Sequence, residues 1–559
     1  MLRYEARGDD LMRFLGVNAV FHDPAAALVV DGRIVAAAEE ERFSRRKHGK
    51  EAVPFSAWEL PVQAMRWCLA EAGLRAEELD AVGYSYDPAL VVPDGPGQDP
   101  PWERLRTLYA RRAPAFLAAA LPGLDPARVR HIPHHVAHAA SAGLAAPPAG
   151  GSADSAVFVA DGRGEAASHL AGVYTGGELE VLVRQELPHS LGLMYEDLTE
   201  HLGFRRSSDE YKVMALASYG RPRMLAELRD LVRYEGGGRI HVADVDWGAL
   251  AKRRDPDQEY TADHADLAAS VQRRLEEVLL DVLGWLHERT GQSRLTLAGG
   301  VALNCVANTR IAAEGPFTDV WVQPAAGDAG TALGCALHLA AEAGEPITPM
   351  RGADLGRSWT DAELAAVLAQ ADVAHERPAD LADTVAAALA DNRLVAWFQG
   401  RAEFGPRALG HRSLLAHPGD AANPERLNRV KGREQFRPVA PMVLAERAAD
   451  VFSRGPLPSP YMLFVHDVAP AWRDRIPAVV HVDGTARVQT VDAAAEPLLA
   501  RLLERFEART GLPVLVNTSL NTAGRPMVDS PHDALECFGS APVDLLVLGP
   551  YVVRRHGRG

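Results

Sequence analysis

Residues 14–38 read FLGVNAVFHDPAAALVVDGRIVAAA, and residues 156–185 read AVFVADGRGEAASHLAGVYTGGELEVLVRQ. In each stretch three β-rich runs are separated by turn formers. These are His22-Asp23-Pro24 and Asp31-Gly32 in the first, and Asp161-Gly162-Arg163-Gly164 and Gly176-Gly177 in the second. Alternating apolar runs broken by Asp-Gly or Gly-Gly predict antiparallel hairpin strands. Helical patterns follow each set, such as PVQAMRWCLAEAGL after the first. A hairpin-then-helix unit used twice predicts two similar lobes, with two unrelated hairpins as the competing reading of the same pattern.

With 559 residues the chain is too long for one core. DPALVVPDGPGQDPPWERL (87–105) reads as an irregular insertion in the first lobe. EPITPMRGADLGRSW (345–359), rich in turn formers, marks a domain boundary. The expected organisation is an N-terminal domain over 13–345, with lobes of about 13–150 and 151–345. A linker over 346–359 and a second α/β domain over 360–559 follow. Met12 competes with Met1 as the native start, because strand-like sequence begins directly after it.

The 59 basic and 74 acidic residues give a net charge of −15, which repels polyanions and argues against a nucleic-acid partner. No apolar run approaches the roughly 18 residues that cross a bilayer, and the first residues contain no signal-peptide core. The four scattered cysteines fit a reducing compartment, so a cytoplasmic protein is expected.

IPHHVAHAAS (132–141) concentrates three of the 20 histidines. On a helix His134 and His138 share a face, with Cβ atoms about 5–6 Å apart, a spacing that suits one divalent metal. His135 points about 100° away. Helix capping and packing is the competing reading of such a pair. Asp161 ends an apolar strand before glycines, and Asp328 opens a helix in the Gly-rich loop QPAAGDAGTALG. Gly299 and Gly300 form a third strand-to-helix junction, with Asn304 just beyond. Loops that expose backbone N–H groups at helix starts suit phosphate. Together they describe a nucleotide cleft with a metal.

Residues 401–437 hold eight Lys/Arg against four Asp/Glu, out of place in so acidic a chain unless they meet an anion. LVNTSLNTAGRPM, from residue 515, ends a strand in the hydroxyls and amides of Asn517, Thr518, Ser519 and Asn521.

FHDPAAAL, EEERFSRRKHGK, HHVAHAASA, SLGLMYEDLTEHLGF, YKVMALASYG and GGVALNCVAN occur in that order, and the chain resembles the O-carbamoyltransferases of antibiotics and nodulation factors. The resemblance covers nearly the whole chain, with Ser218 standing where Pro is common. It implies an α/β fold: a two-lobed actin-like (ASKHA) N-terminal domain and a C-terminal YrdC-like α/β domain. It also implies a metal at His134, His138, Asp161 and Asp328, with iron(II) as the ion, although an N/O ligand set does not separate iron from zinc or manganese. Lys47, Gly162, Gly299, Gly300 and Asn304 would line the nucleotide beside it, and His22 would be the base, oriented by Asp23. Lys431-x-Arg433 with Ser519-x-Asn521 resembles the tetrad of threonylcarbamoyl-adenylate synthases. With Arg407, Arg412, Arg437 and Asn517 it would take carbamoyl phosphate and ATP, the latter with Mg(II), and form carbamoyl adenylate. The other expected partner is a hydroxylated small-molecule acceptor, which the sequence does not name; a homo-oligomer is compatible. Two other classes compete, a tRNA threonylcarbamoyl-type modifier and a non-catalytic actin-like regulator. The acidic balance opposes the first, and the second has no need of the basic segment.

Overall fold

A computed structural model describes residues 11–49, 59–92, 95 and 100–555; Met1 and Lys50 lie outside them. The chain divides into two compact units, Met1–Gly352 and Ala353–Gly559.

The first unit contains strands β1 (Arg13–Asn18), β2 (Ala25–Val30), β3 (Arg33–Glu39), β4 (Ala81–Tyr84) and β5 (Val129–His131). Then come β6 (Ser155–Ala160), β7 (Ala167–Thr175) and β8 (Glu178–Glu186). A ribbon of β9 (Val232–Gly236) and β10 (Arg239–Val242) precedes β11 (Arg294–Ala298) and β12 (Asp319–Val322). The first sheet runs β3-β2-β1-β4-β5 and the second β8-β7-β6-β11-β12. In both, three antiparallel strands are followed by two added in parallel. One strand order used twice is the duplicated, two-lobed architecture predicted from the two hairpin stretches and the actin-like one implied by the resemblance.

The reversal at Asp31-Gly32 has positive φ at both residues, as does that at Gly176-Gly177. Such turns match the right-handed twist of the strands they join. β2, AAALVV, is buried along its whole length because both of its faces are covered. Residues 100–120, part of which was expected to be irregular, form a helix, Pro100–Ala120.

The two halves exchange helices. His134–Gly143 follows the first sheet but packs on the second, where the Cβ that Gly143 lacks would lie 2.2 Å from the Tyr174 ring. Ala329–Glu342 follows the second sheet but packs on the first, where a Cβ on Gly16 of β1 would fall 1.8 Å from the Ala332 carbonyl oxygen. This departs from the expected lobe division, which placed all of 151–345 together. The helices also touch each other, and a Cβ on Gly334 would stand 1.7 Å from the Ala137 carbonyl oxygen. Close backbone approach therefore requires glycine at 334. The N-terminal ends of both helices carry candidate metal ligands.

The second unit contains β13 (Val395–Phe398), β14 (Arg412–Ala416), β15 (Ala440–Leu444), β16 (Phe452–Ser453), β17 (Val465–Val468) and β18 (Thr485–Arg487). β19 (Gln489–Val491), β20 (Val514–Ser519), β21 (Leu545–Leu548) and β22 (Tyr551–Arg554) complete it. Seven of these form a mixed sheet, β19-β15-β20-β14-β13-β21-β22, and β16-β17-β18 form a small separate one. The core of this α/β unit is built around Trp397, Phe398, Phe506 and the apolar strands β20 and β21.

Candidate metal and nucleotide site

His134 opens its helix after Pro133, which offers no side-chain cap. The exposed helix start is satisfied instead by Glu165, whose Oε1 accepts the His134 N–H at 2.8 Å and the Asp87 N–H at 2.8 Å. The His134 Nδ1 donates to the Ser85 carbonyl at 3.2 Å, which turns Nε2 toward the carboxylates. Asp161, at the end of β6, lies with Oδ2 3.2 Å from His134 Nε2 and 3.6 Å from His138 Nε2. Asp328 Oδ1 stands 3.6 and 3.5 Å from the same two nitrogens. The second oxygen of Asp161 accepts the Gly300 N–H at 3.1 Å. Gly299 beside it has φ +91°, and a Cβ there would fall 2.2 Å from the Ala160 carbonyl oxygen, so this junction tolerates only glycine.

All four side chains are buried, and one donor atom from each lies within 4.8 Å of the others. Neither ring nitrogen of His138 has a hydrogen-bond partner. Buried polar atoms are rarely left so. Two neutral imidazoles and two carboxylates match the donor types and the charge of one divalent cation. The residues therefore fit a metal. Burial disfavours charge throughout, but hydrogen bonds with Asp161 and Asp328 prevail and raise the His134 pKa. Burial likewise pushes the Asp161 carboxyl up, while His134 and His138 hold it well below its usual range. Asp328, although buried, is drawn down to about 2, chiefly by His22.

His22 sits between two residues in the left-handed region, Phe21 (φ 57°) and Asp23 (φ 49°), a costly conformation for phenylalanine. Asn18, the last residue of β1, pins this turn: its amide donates to the carbonyls of His22 and Asp23, both at 2.9 Å. The Asn18 Oδ1 in turn accepts from the Ser85 hydroxyl at 3.0 Å. Asp23 lies 2.9 Å from His22 Nδ1, and His22 Nε2 is 3.9 Å from Asp328. Burial opposes a charged His22 ring, yet Asp328 and then Asp23 raise its pKa to about 10. The other oxygen of Asp23 meets His48 Nδ1 at 2.9 Å, and His48 Nε2 meets the Ser208 hydroxyl at 2.8 Å. Asp23, Glu41 and His48 also bring ligand atoms close together. Here Asp23 bridges two histidines and Glu41 accepts the His48 N–H.

The remaining nucleotide candidates divide. Gly162 and Gly300 border Asp161. Lys47 is exposed, 5.9 Å from the Tyr211 ring, and it is the neighbouring His48 that reaches Asp23. Asn304 caps the helix Cys305–Glu314 and pairs through its amide with Gln272. That is a structural role.

In the second unit Lys431 Nζ donates to the Ser519 hydroxyl at 2.8 Å and to Asn521 Oδ1, and Ser519 bonds Asn521 at 2.7 Å. Arg433 turns to the Asn428 side chain at 2.6 Å, Arg437 lies 3.5 Å from Glu434, and Arg407 donates to the Met462 carbonyl at 2.9 Å. Two expected phosphate ligands belong to the core instead. Arg412 is fully buried, stacked 3.7 Å from the Phe398 ring centre, and donates to the carbonyls of Gln399, Gly400 and Arg357. Asn517 is equally buried and donates to the Ala408 carbonyl and to Gln489. An arginine or asparagine in a strand reads the same in sequence whether it faces ligand or core.

Twin sheets with exchanged helices, a buried His₂Asp₂ group and a second α/β unit define a two-unit protein built around an actin-like fold. The family description "Carbamoyltransferase N-terminus" matches residues 13–88 and 111–337, and "Carbamoyltransferase C-terminus" matches 386–555. Nodulation protein NolNO of Sinorhizobium fredii is 38% identical over 96% of this chain and 80% of its own. The uncharacterised protein sll1178 of Synechocystis is 37% identical over 98% and 97% of the two chains. A crystal structure of full-length HypF with phosphate and nucleotide covers 59% of this chain and 55% of its own at 13% identity and a TM-score of 0.34. At that score the strand order, not the match, defines the fold. The chain belongs to the carbamoyltransferase family and is a carbamoyltransferase.

Proposed function

We propose that the protein is an ATP-dependent O-carbamoyltransferase that makes carbamoyl adenylate in its second unit and transfers the carbamoyl group to an alcohol in its first. The observation that carries this reading is the presence of two separate sites. One is the convergence of His134, His138, Asp161 and Asp328; the other is the Lys431–Ser519–Asn521 cluster.

In the second unit, carbamoyl phosphate loses its phosphate to water. The resulting carbamate oxygen attacks the α-phosphorus of ATP, held with Mg(II), and pyrophosphate leaves. Lys431 supplies a fixed positive charge for the reacting anions, and Ser519 and Asn521 hold its ammonium group in place. In the first unit the acceptor hydroxyl attacks the carbamoyl carbon, the C–O bond to AMP breaks, and a carbamate ester and AMP result. His22, oriented by Asp23, takes the hydroxyl proton. The positive ends of the helices that start at His134 and Asp328 would favour the negative charge that develops on the departing AMP. A divalent cation on the four donors, iron(II) as the family resemblance implies, would act as a Lewis acid and cancel the carboxylate charge that otherwise keeps His22 protonated.

The test is incubation with ATP, carbamoyl phosphate and a panel of hydroxylated natural products. Pyrophosphate release that requires carbamoyl phosphate, with a carbamoyl mass gain on an acceptor, is expected. Release indifferent to carbamoyl phosphate overturns the reading.

A further inference from the structure

Of the basic stretch that follows β3, the side chain that reaches the His22 turn is His48. The backbone is folded back to bring it there. The Glu40 N–H donates to the Pro24 carbonyl at 2.8 Å, and Glu41, which opens the short helix Glu41–Ser44, accepts the His48 N–H at 2.8 Å. His48 is held at φ 63° and Gly49 at φ 68°, and a Cβ on Gly49 would stand 3.1 Å from the Pro24 ring. Asp23, at φ 49°, faces His48 from the same left-handed region. Two such residues are costly, and strain of this kind persists where the surrounding structure over-determines it.

The strained pair is joined side chain to side chain. Asp23 Oδ2 lies 2.9 Å from His22 Nδ1 and Oδ1 lies 2.9 Å from His48 Nδ1, so each carboxylate oxygen has its own imidazole. The far nitrogen of His48, Nε2, lies 2.8 Å from the Ser208 hydroxyl, just before the helix Glu210–Ala217. With a proton on His48 Nδ1 for Asp23, Nε2 can only accept, and the Ser208 O–H supplies the donor. The polarity then runs one way. Ser208 donates to His48, His48 donates to Asp23, and His22 donates to the second oxygen of the same carboxylate. His22 thereby keeps its proton on Nδ1 and presents Nε2, the nitrogen 3.9 Å from Asp328. The Asp23 side chain is 28% exposed, so a carboxylate bonded through one oxygen alone would turn about its last torsion toward water. A bond on each oxygen removes that freedom.

We propose that His48, fixed by Ser208, is a positioning residue: it holds the second oxygen of Asp23, so that Asp23 keeps the His22 proton on Nδ1 and leaves Nε2 bare for the acceptor hydroxyl. The inference rests on the reading of His22 as the base.

Long-range proton–nitrogen NMR correlations of the full-length, histidine-labelled protein, loaded with diamagnetic zinc, test it, because they report which ring nitrogen carries a proton. Protons on Nδ1 of both His22 and His48 are expected, assigned by their loss in His22→Ala and His48→Gly. In His48→Gly the His22 Nδ1 proton is expected to exchange with water at least about tenfold faster, as for loss of one hydrogen bond to a charged group. His48→Asn, whose amide N–H takes the place of Nδ1, should recover most of that protection. Glycine and asparagine both accept the left-handed backbone at 48, so the comparison between them reads the hydrogen bond and not the fold. Ser208→Ala should move part of the His48 proton to Nε2. Three results overturn the proposal: a His48 Nδ1 without a proton in the parent, a His22 proton that exchanges no faster in His48→Gly, or His48→Asn behaving as His48→Gly. In an Asp23→Ala background, His48→Gly should change the His22 signal no further, and a further change overturns action through Asp23. Acceptor carbamoylation by His22→Ala reads the base assignment separately: if it persists, that reading falls whatever the spectra show.

Discussion

His138 has both ring nitrogens buried and unpartnered beside two carboxylates, an arrangement that suits a ligand of the proposed ion. His138→Ala is expected to lower bound metal, measured by elemental analysis, by at least about tenfold while leaving carbamoyl-phosphate-dependent pyrophosphate release intact. His22→Ala should keep both metal and pyrophosphate release and lose acceptor carbamoylation. Glu210 carries a pH effect: burial, and then Glu196, push its carboxyl up to about 7. An acid whose pKa is raised on folding binds more protons folded than unfolded, so stability falls as pH rises from its ordinary value to about 7. Glu210→Gln should therefore melt several degrees above the parent at pH 8, with the gap closing by pH 5. No pH dependence in that gap refutes the assignment. The spacing of His134 and His138 makes them legible in the sequence. Asn18, Ser85 and Glu165, which aim and brace the ligands, are not, because each of these contacts uses a backbone group on one side and is made only by the fold.

The hairpins of β1–β3 and β6–β8 are readable because Asp-Gly and Gly-Gly turns punctuate apolar runs. The exchange of the two helices is not, since a helix records in its sequence that one face is apolar but not which sheet it meets. Small residues at the crossing are the only trace. Gly334→Val would force the Ala137 carbonyl away and part the helices that carry His138 and Asp328. A lower melting temperature together with weakened metal binding is expected; destabilisation with metal affinity unchanged would show that the crossing does not set the ligand geometry. Strand residues mislead in the opposite sense. Arg412 looks like a phosphate ligand because it stands in a basic segment, yet it satisfies three carbonyls of the core. Arg412→Met, which leaves those carbonyls without donors, should destabilise the second unit by several kcal/mol in denaturant titration.

The two units present different chemistry, and lesions in each should separate. Lys431→Met is expected to abolish carbamoyl-phosphate-dependent pyrophosphate release without changing metal content, the converse of His138→Ala. Coupled loss of both functions from either change would contradict independent sites. Within the first unit, the crossed helices have a mechanical outcome. The histidine pair rides on one sheet, Asp328 starts the helix that lies on the other, and Asp161 hangs from the end of β6. An ion seated among them would tie the two sheets together, because its ligands come from elements packed on both. Were an ion bound there, chelation would remove a tie between the two sheets as well as the ion.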